Sequence, residues 1–122
     1  METGMADSFR DLIVWQRSMQ LTVAIYGLTK DFPREELYGL TSQIRRAAVS
    51  LPSNIAEGHG RLGTKEYRHF LGIARASNFE LQTQLELARR LNLGSLQLIG
   101  AAEGLSHEVG KMLYAILQSI EK

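Results

Sequence analysis

Three short patterns in this 122-residue sequence have spacings that chemistry uses. Gly58-His59-Gly60-Arg61-Leu62-Gly63 spells G-x-G-x-x-G, the loop that lets a backbone approach a dinucleotide pyrophosphate. Glu66-x-x-His69 has the spacing by which di-metal carboxylate bundles present two ligands from one helix face. Between Arg45 and Arg75, six basic residues (Arg45, Arg46, Arg61, Lys65, Arg68, Arg75) outnumber two acidic ones, Glu57 and Glu66. That excess of four positive charges suits a phosphate-bearing partner.

The first two patterns fail on their surroundings. A dinucleotide loop follows a strand and opens a βαβ unit, whereas helix-forming sequence precedes Gly58 and no parallel sheet can be assembled here. Gly58 or Gly60 is instead expected to take the left-handed conformation at a helix end, with Gly63 leading into a Thr64 cap. A di-metal site needs a second Glu-x-x-His and two further inward glutamates, and the chain has no second such pair. His59, His69 and His107 read as surface or boundary residues, and no serine sits beside a histidine and an acid in a hydrolase motif. No metal, cofactor or catalytic residue is expected, so the chain does not read as an enzyme. What survives is the cationic segment, where a helix amino end near Arg61, Lys65 and Arg68 favours anions.

Composition is consistent with a binding role without specifying it. Fourteen Lys plus Arg against thirteen Asp plus Glu leave a formal charge of +1, so whole-molecule charge singles out no nucleic acid. The absence of cysteine excludes thiol catalysis, zinc ribbons and disulfides, and fits a cytoplasmic location. No apolar run reaches the roughly 20 residues of a membrane span, and METGMADSFRD lacks the order of a signal peptide, so a soluble chain without membrane association is expected. The length suits one domain over residues 1–122, with 1–8 flexible.

The elements that must position these residues are helices. With two prolines and long stretches of helix formers, the sequence predicts an all-α, antiparallel, up-down four-helix bundle. The first helix runs from an Asp11 cap to about Lys30, ending at Asp31-Phe32-Pro33-Arg34. The second spans about Glu35 to Glu57, the third runs from Thr64 to about Leu91, and the fourth from Ser95 nearly to Lys122. Core stripes are predicted at Leu37, Leu40, Ile44, Ala47, Leu51 and Ile55, and at Leu98, Ala102, Leu105, Val109, Met112, Ile116 and Ile120. The first helix carries two stripes: Leu12, Trp15, Met19, Val23 and Tyr26, and Val14, Leu21, Ile25, Leu28 and Phe32. One core cannot easily bury both, which predicts self-association. Pro52 is expected to kink the second helix and free the Ala48 carbonyl, with Ser50 and Ser53 at hand to satisfy backbone groups.

A polar series flanks these stripes: Gln43, Ser50, Asn54 and Glu57 on the second helix, and Ser77, Glu80 and Gln84 on the third. A hairpin pivoting about Arg61 sets Arg45 and Arg46 level with Ser77 and one turn from Glu80, and Asn54 and Glu57 level with Lys65 and Arg68. The series is expected to fix register as a hydrogen-bond and ion-pair ladder, with Arg45 or Arg46 paired to Glu80. Arg61, Lys65 and Arg68 are then the exposed contacts for nucleic acid.

The stretches FRDLIVWQRSMQL (9–21), LTSQIRRAAVSLPSNIAEGHGR (40–61), YRHFLGIARASNFELQTQLELARRL (67–91) and GKMLYAILQSI (110–120) resemble the four-helix-bundle proteins encoded in intervening sequences of large-subunit ribosomal RNA genes. The chain is also similar, more distantly, to the accessory variability proteins of diversity-generating retroelements. The resemblance implies a ring-like homopentamer without established enzymatic activity, for whose relatives nucleic-acid binding is proposed. The function expected first is binding of the RNA or DNA backbone by basic residues repeated around the oligomer; the rival is a protein-interaction scaffold whose partner, a reverse transcriptase-like or other nucleic-acid enzyme, does the chemistry. Ala76 and Asn78-Phe79 depart from the glycine and smaller or acidic residues common in relatives. Gln118 stands where a basic residue is common.

Overall fold

Apolar residues recurring every three or four positions require helices that share one core. A computed structural model, which describes residues 8–120, contains four: α1 (Ile13–Thr29), α2 (Leu40–His59), α3 (Thr64–Arg90) and α4 (Leu96–Ile120). There is no strand among the described residues. Each helix packs on two neighbours, α1 and α3 each on α2 and α4, which is an antiparallel up-down bundle. Apart from Ser8, the stretch 1–8 expected to be flexible lies outside the described residues, as does the predicted end of the last helix at Lys122.

The core is built from Leu21, Ile25 and Leu28, Ile44, Leu51 and Ile55, Leu71, Leu81 and Leu85, and Ile99, Val109 and Leu113, all fully buried. Of the two stripes on α1, the core takes Val14, Leu21, Ile25 and Leu28, with Phe32 just beyond the helix. Met19, Val23 and Tyr26 of the other stripe stay exposed, while Leu12 and Trp15 pack at its margin.

Several helix ends differ from expectation for local reasons. Asp11 does not cap α1; Ser8 caps a 3-10 turn over Phe9–Asp11 by accepting from the Arg10 amide, and Leu12 precedes α1 without a side-chain cap. The second helix begins at Leu40 rather than Glu35, because Arg34–Glu36 form a separate 3-10 turn and the Glu36 carboxylate accepts from the Leu40 amide. That leaves Leu37 outside α2 and exposed instead of in the core. Leu98 is exposed too, since α4 turns the neighbouring Ile99 inward. Thr64 is the first residue of α3, not its cap. Ser95 does cap α4, through the Leu98 amide.

The glycines divide differently as well. Gly58 lies inside α2 and Gly60 has φ −78°, so neither is left-handed. A Cβ on Gly58 would lie 3.0 Å from Phe70 Cβ, so its role is close approach of α2 and α3. Among the described residues the left-handed positions are Asn92 and Gly94, where α3 gives way to α4.

Pro52 sits inside a helix that continues unbroken through it. The carbonyl it deprives of a partner, that of Ala48, is met by neither Ser50 nor Ser53; those hydroxyls bond Ser77 and the Val49 carbonyl. The partner comes from another helix. Thr22 Oγ1 of α1 lies 2.8 Å from the Ala48 oxygen and 2.9 Å from its own Ser18 carbonyl. The Ser18 carbonyl has the Thr22 amide in helical register, so the hydroxyl proton is worth more at Ala48. Thr22→Val is therefore expected to cost about 1–2 kcal/mol in the native chain and close to nothing in a Pro52→Ala background, where the alanine restores the missing N–H. Urea denaturation of the four proteins measures this coupling.

Candidate nucleic-acid interface

The α2–α3 seam holds the polar series. Ser50 and Ser77 share a 2.8 Å hydrogen bond, and Asn54 Nδ2 donates to the carbonyl and hydroxyl of Ser50. Arg46 Nη2 lies 2.9 Å from Glu80 Oε2 and also donates to Gln43, while Gln84 donates to the same Glu80 carboxylate. Ser77 and Gln84 are buried. These pairs lie about one helical turn further along α3 than a pivot at Arg61 places them. The reason is that α2 extends to His59 and α3 starts only at Thr64. Arg46 thus stands level with Glu80 rather than a turn away.

Arg45 turns the other way. Its Nε donates to Thr29 Oγ1 at 2.8 Å and its guanidinium lies 4.6 Å from the Tyr26 ring centroid, so it joins α2 to α1. Arg61 is not a free exposed contact. It pairs with Glu57 at 2.6 Å, one turn earlier in the chain, and lies over the Phe70 ring. Glu57 is accordingly occupied by Arg61 and not set against Lys65 and Arg68. Beneath this corner, burial pushes the Tyr67 phenol above its ordinary value, keeping it neutral, with its ring edge-on to His59. Glu66 and His69 are exposed on the first turns of α3, and no group of three or more His, Asp or Glu among the described residues could hold a metal.

Lys65, Arg68 and Arg75 remain. All three are exposed, and none forms an ion pair with a described residue. At about 100° per residue they fall within roughly 80° of one another on α3, a cationic stripe running from the α2–α3 turn to mid-helix. Such a stripe can meet successive phosphates without first breaking an internal pair.

Two features have no counterpart in the charge pattern. Phe79 continues the stripe one turn beyond Arg75, with that guanidinium 5.0 Å from its ring centroid. Between α3 and α4, Asn78 Nδ2 donates to the Ser106 carbonyl, Ser106 Oγ donates to Asn78 Oδ1, and Gln82 donates to Ser106 Oγ. Asn78 and Ser106 are buried. The one sequence signal for either feature is the four-residue spacing from Arg75 to Phe79. None of the described helices is long and apolar enough to cross a membrane.

Residues 10–115 match the sequence profile of a family described as 23S rRNA-intervening sequence protein. A crystal structure of a protein with unknown function from the S23 ribosomal protein family of Bacteroides thetaiotaomicron is similar to this one, with a TM-score of 0.80 and 25% identity over 86% of this chain and 98% of that chain. No curated protein matches the chain.

Proposed function

This chain belongs to the 23S rRNA-intervening sequence protein family, and from that premise we propose a non-enzymatic homo-oligomer, pentameric as the resemblance implies, that binds the RNA or DNA backbone through a basic surface repeated around the assembly. The unpaired stripe of Lys65, Arg68 and Arg75 carries this reading. Arg45, Arg46 and Arg61 serve the architecture. Self-association is supported by the exposed Met19, Val23 and Tyr26, and by Val49 of α2, which is also exposed and shares a groove with Met19. Three cations per protomer are few, but copies on one face add their phosphate contacts and steepen the dependence on salt.

Fluorescence anisotropy with labelled 20-mers, on samples whose mass is fixed by light scattering, tests both halves. Binding is expected to weaken sharply between about 50 and about 200 mM salt. The Lys65→Gln/Arg68→Gln protein is expected to bind all sequences more weakly, its log–log salt slope shallower by about 0.7–0.9 for each phosphate no longer neutralised. An oligomer that binds no nucleic acid at low salt supports instead a scaffold for a nucleic-acid enzyme, the reading for which the exposed apolar stripe speaks.

A further inference from the structure

We infer that the groove between α3 and α4 is a single-stranded nucleic-acid site, in which bases stack on Phe79 and Tyr114 while Arg75 and Lys111 meet the phosphates. This rests on the backbone-binding reading and gives it a place and a strand preference.

The groove encloses about 320 Å³ and is lined by Arg75, Phe79, Gln82, His107, Lys111 and Tyr114. Past Phe79 it continues into a second groove of about 430 Å³ that ends at Arg90. Phe79 is 52% exposed and Tyr114 55%, so each presents ring surface to whatever enters. Among the described residues lining the first groove there is no carboxylate. Of the nearby acids, Glu86 lines the second groove and is paired there with Arg90, while Glu103 pairs with Arg89 and Glu108 with Arg17 on α1. The walls of the first groove are therefore aromatic and cationic, with no carboxylate among them.

Those two properties choose the occupant. An apolar helix from another protein would cover the rings but strand Arg75 and Lys111 in a dry interface. A duplex offers phosphates but keeps its base faces stacked inside. A single strand supplies both unstacked π-faces and phosphates, the combination that sequence-tolerant single-strand sites exploit. The floor adds a second constraint. Asn78 is buried with both ends of its amide held by Ser106, and one N–H of Gln82 is taken by the same residue, so a base edge meets only what remains of the Gln82 amide. The site is thus expected to discriminate strand state more than sequence.

Anisotropy titrations with labelled oligo-dT, oligo-U and a DNA duplex of equal length test the proposal. Both rings are half exposed, so Phe79→Ala and Tyr114→Ala are expected to fold, which thermal melts verify. Each is expected to weaken single-strand binding by about tenfold or more with an unchanged salt slope, and to leave duplex binding as it was. Arg75→Gln/Lys111→Gln is expected to lower the slope. If the native chain binds single strands and both alanine variants bind them equally well, this site is wrong while backbone binding stands. If Phe79→Ala changes the assembly's mass by light scattering, the face is an interface between copies and the proposal falls. If the native chain binds no oligonucleotide at low salt, both readings fall together.

Discussion

Gly94→Ala is expected to destabilise the protein by about 2–4 kcal/mol, lowering its melting temperature by roughly 10 °C. Two effects act together. Gly94 has φ +75°, where an L side chain meets the following carbonyl at a cost of about 1–2 kcal/mol. A Cβ there would also lie 2.7 Å from Leu28 Cδ1 and 2.9 Å from Phe32 Cε1. Leu28 is fully buried and Phe32 nearly so, so neither can retreat without disturbing the end of the core. The chain cannot easily choose another turn, because the Leu93 amide bonds to the Ala88 carbonyl and fixes the approach to Gly94. Gly100→Ala is the control: nothing lies within 4 Å of a Cβ there, and helix propensity alone is expected to leave that variant as stable as the native chain or up to about 1 kcal/mol more so. Urea denaturation followed by circular dichroism measures both; equal midpoints for the two variants would contradict the packing of this turn on α1.

Asn78→Ala is expected to cost about 2–3 kcal/mol. The variant leaves the buried Ser106 hydroxyl without the Asn78 oxygen to which it donates, and removes a donor from the Ser106 carbonyl. The hydroxyl still accepts from Gln82, but its buried proton is left without an acceptor and carries a desolvation penalty that removing the hydroxyl as well relieves. Ser106→Ala in the Asn78→Ala background is therefore expected to cost much less than in the native chain. A cycle in which the two losses simply add would show that the pair does not act as a unit.

The apolar periodicity made most of the core legible. Ile44, Leu51, Ile55, Ala102 and Val109 are buried where a 3.6-residue helix puts them. Leu37 escaped because periodicity does not reveal that the Glu36 carboxylate, bonded to the Leu40 amide, starts the helix later. Hairpin register escaped for a related reason: it depends on where α2 stops and α3 starts, and a few residues at each end moved every cross-helix pair by about a turn. Within the site, the Glu57–Arg61 pair was readable as an i, i+4 pair, although a count of charges does not reveal it. Thr22 opposite Ala48 was not readable, since it depends on how far α1 slides along α2. Phe79 and Tyr114 leave no mark on the charge pattern, and a ring's exposure is a property of packing, not of composition.

Four apolar-striped helices can wind round their common axis in either sense, and the oily interior is nearly the same in both. Each seam of this bundle carries its own polar contact: Thr22 to Ala48 between α1 and α2, Ser50 to Ser77 between α2 and α3, Asn78 to Ser106 between α3 and α4, and Arg17 to Glu108 between α4 and α1. Reversing the winding presents the opposite flank of each helix to its neighbour, and these pairs are broken at once. The polar rim thus selects one handedness from two that burial alone would leave nearly equal in energy.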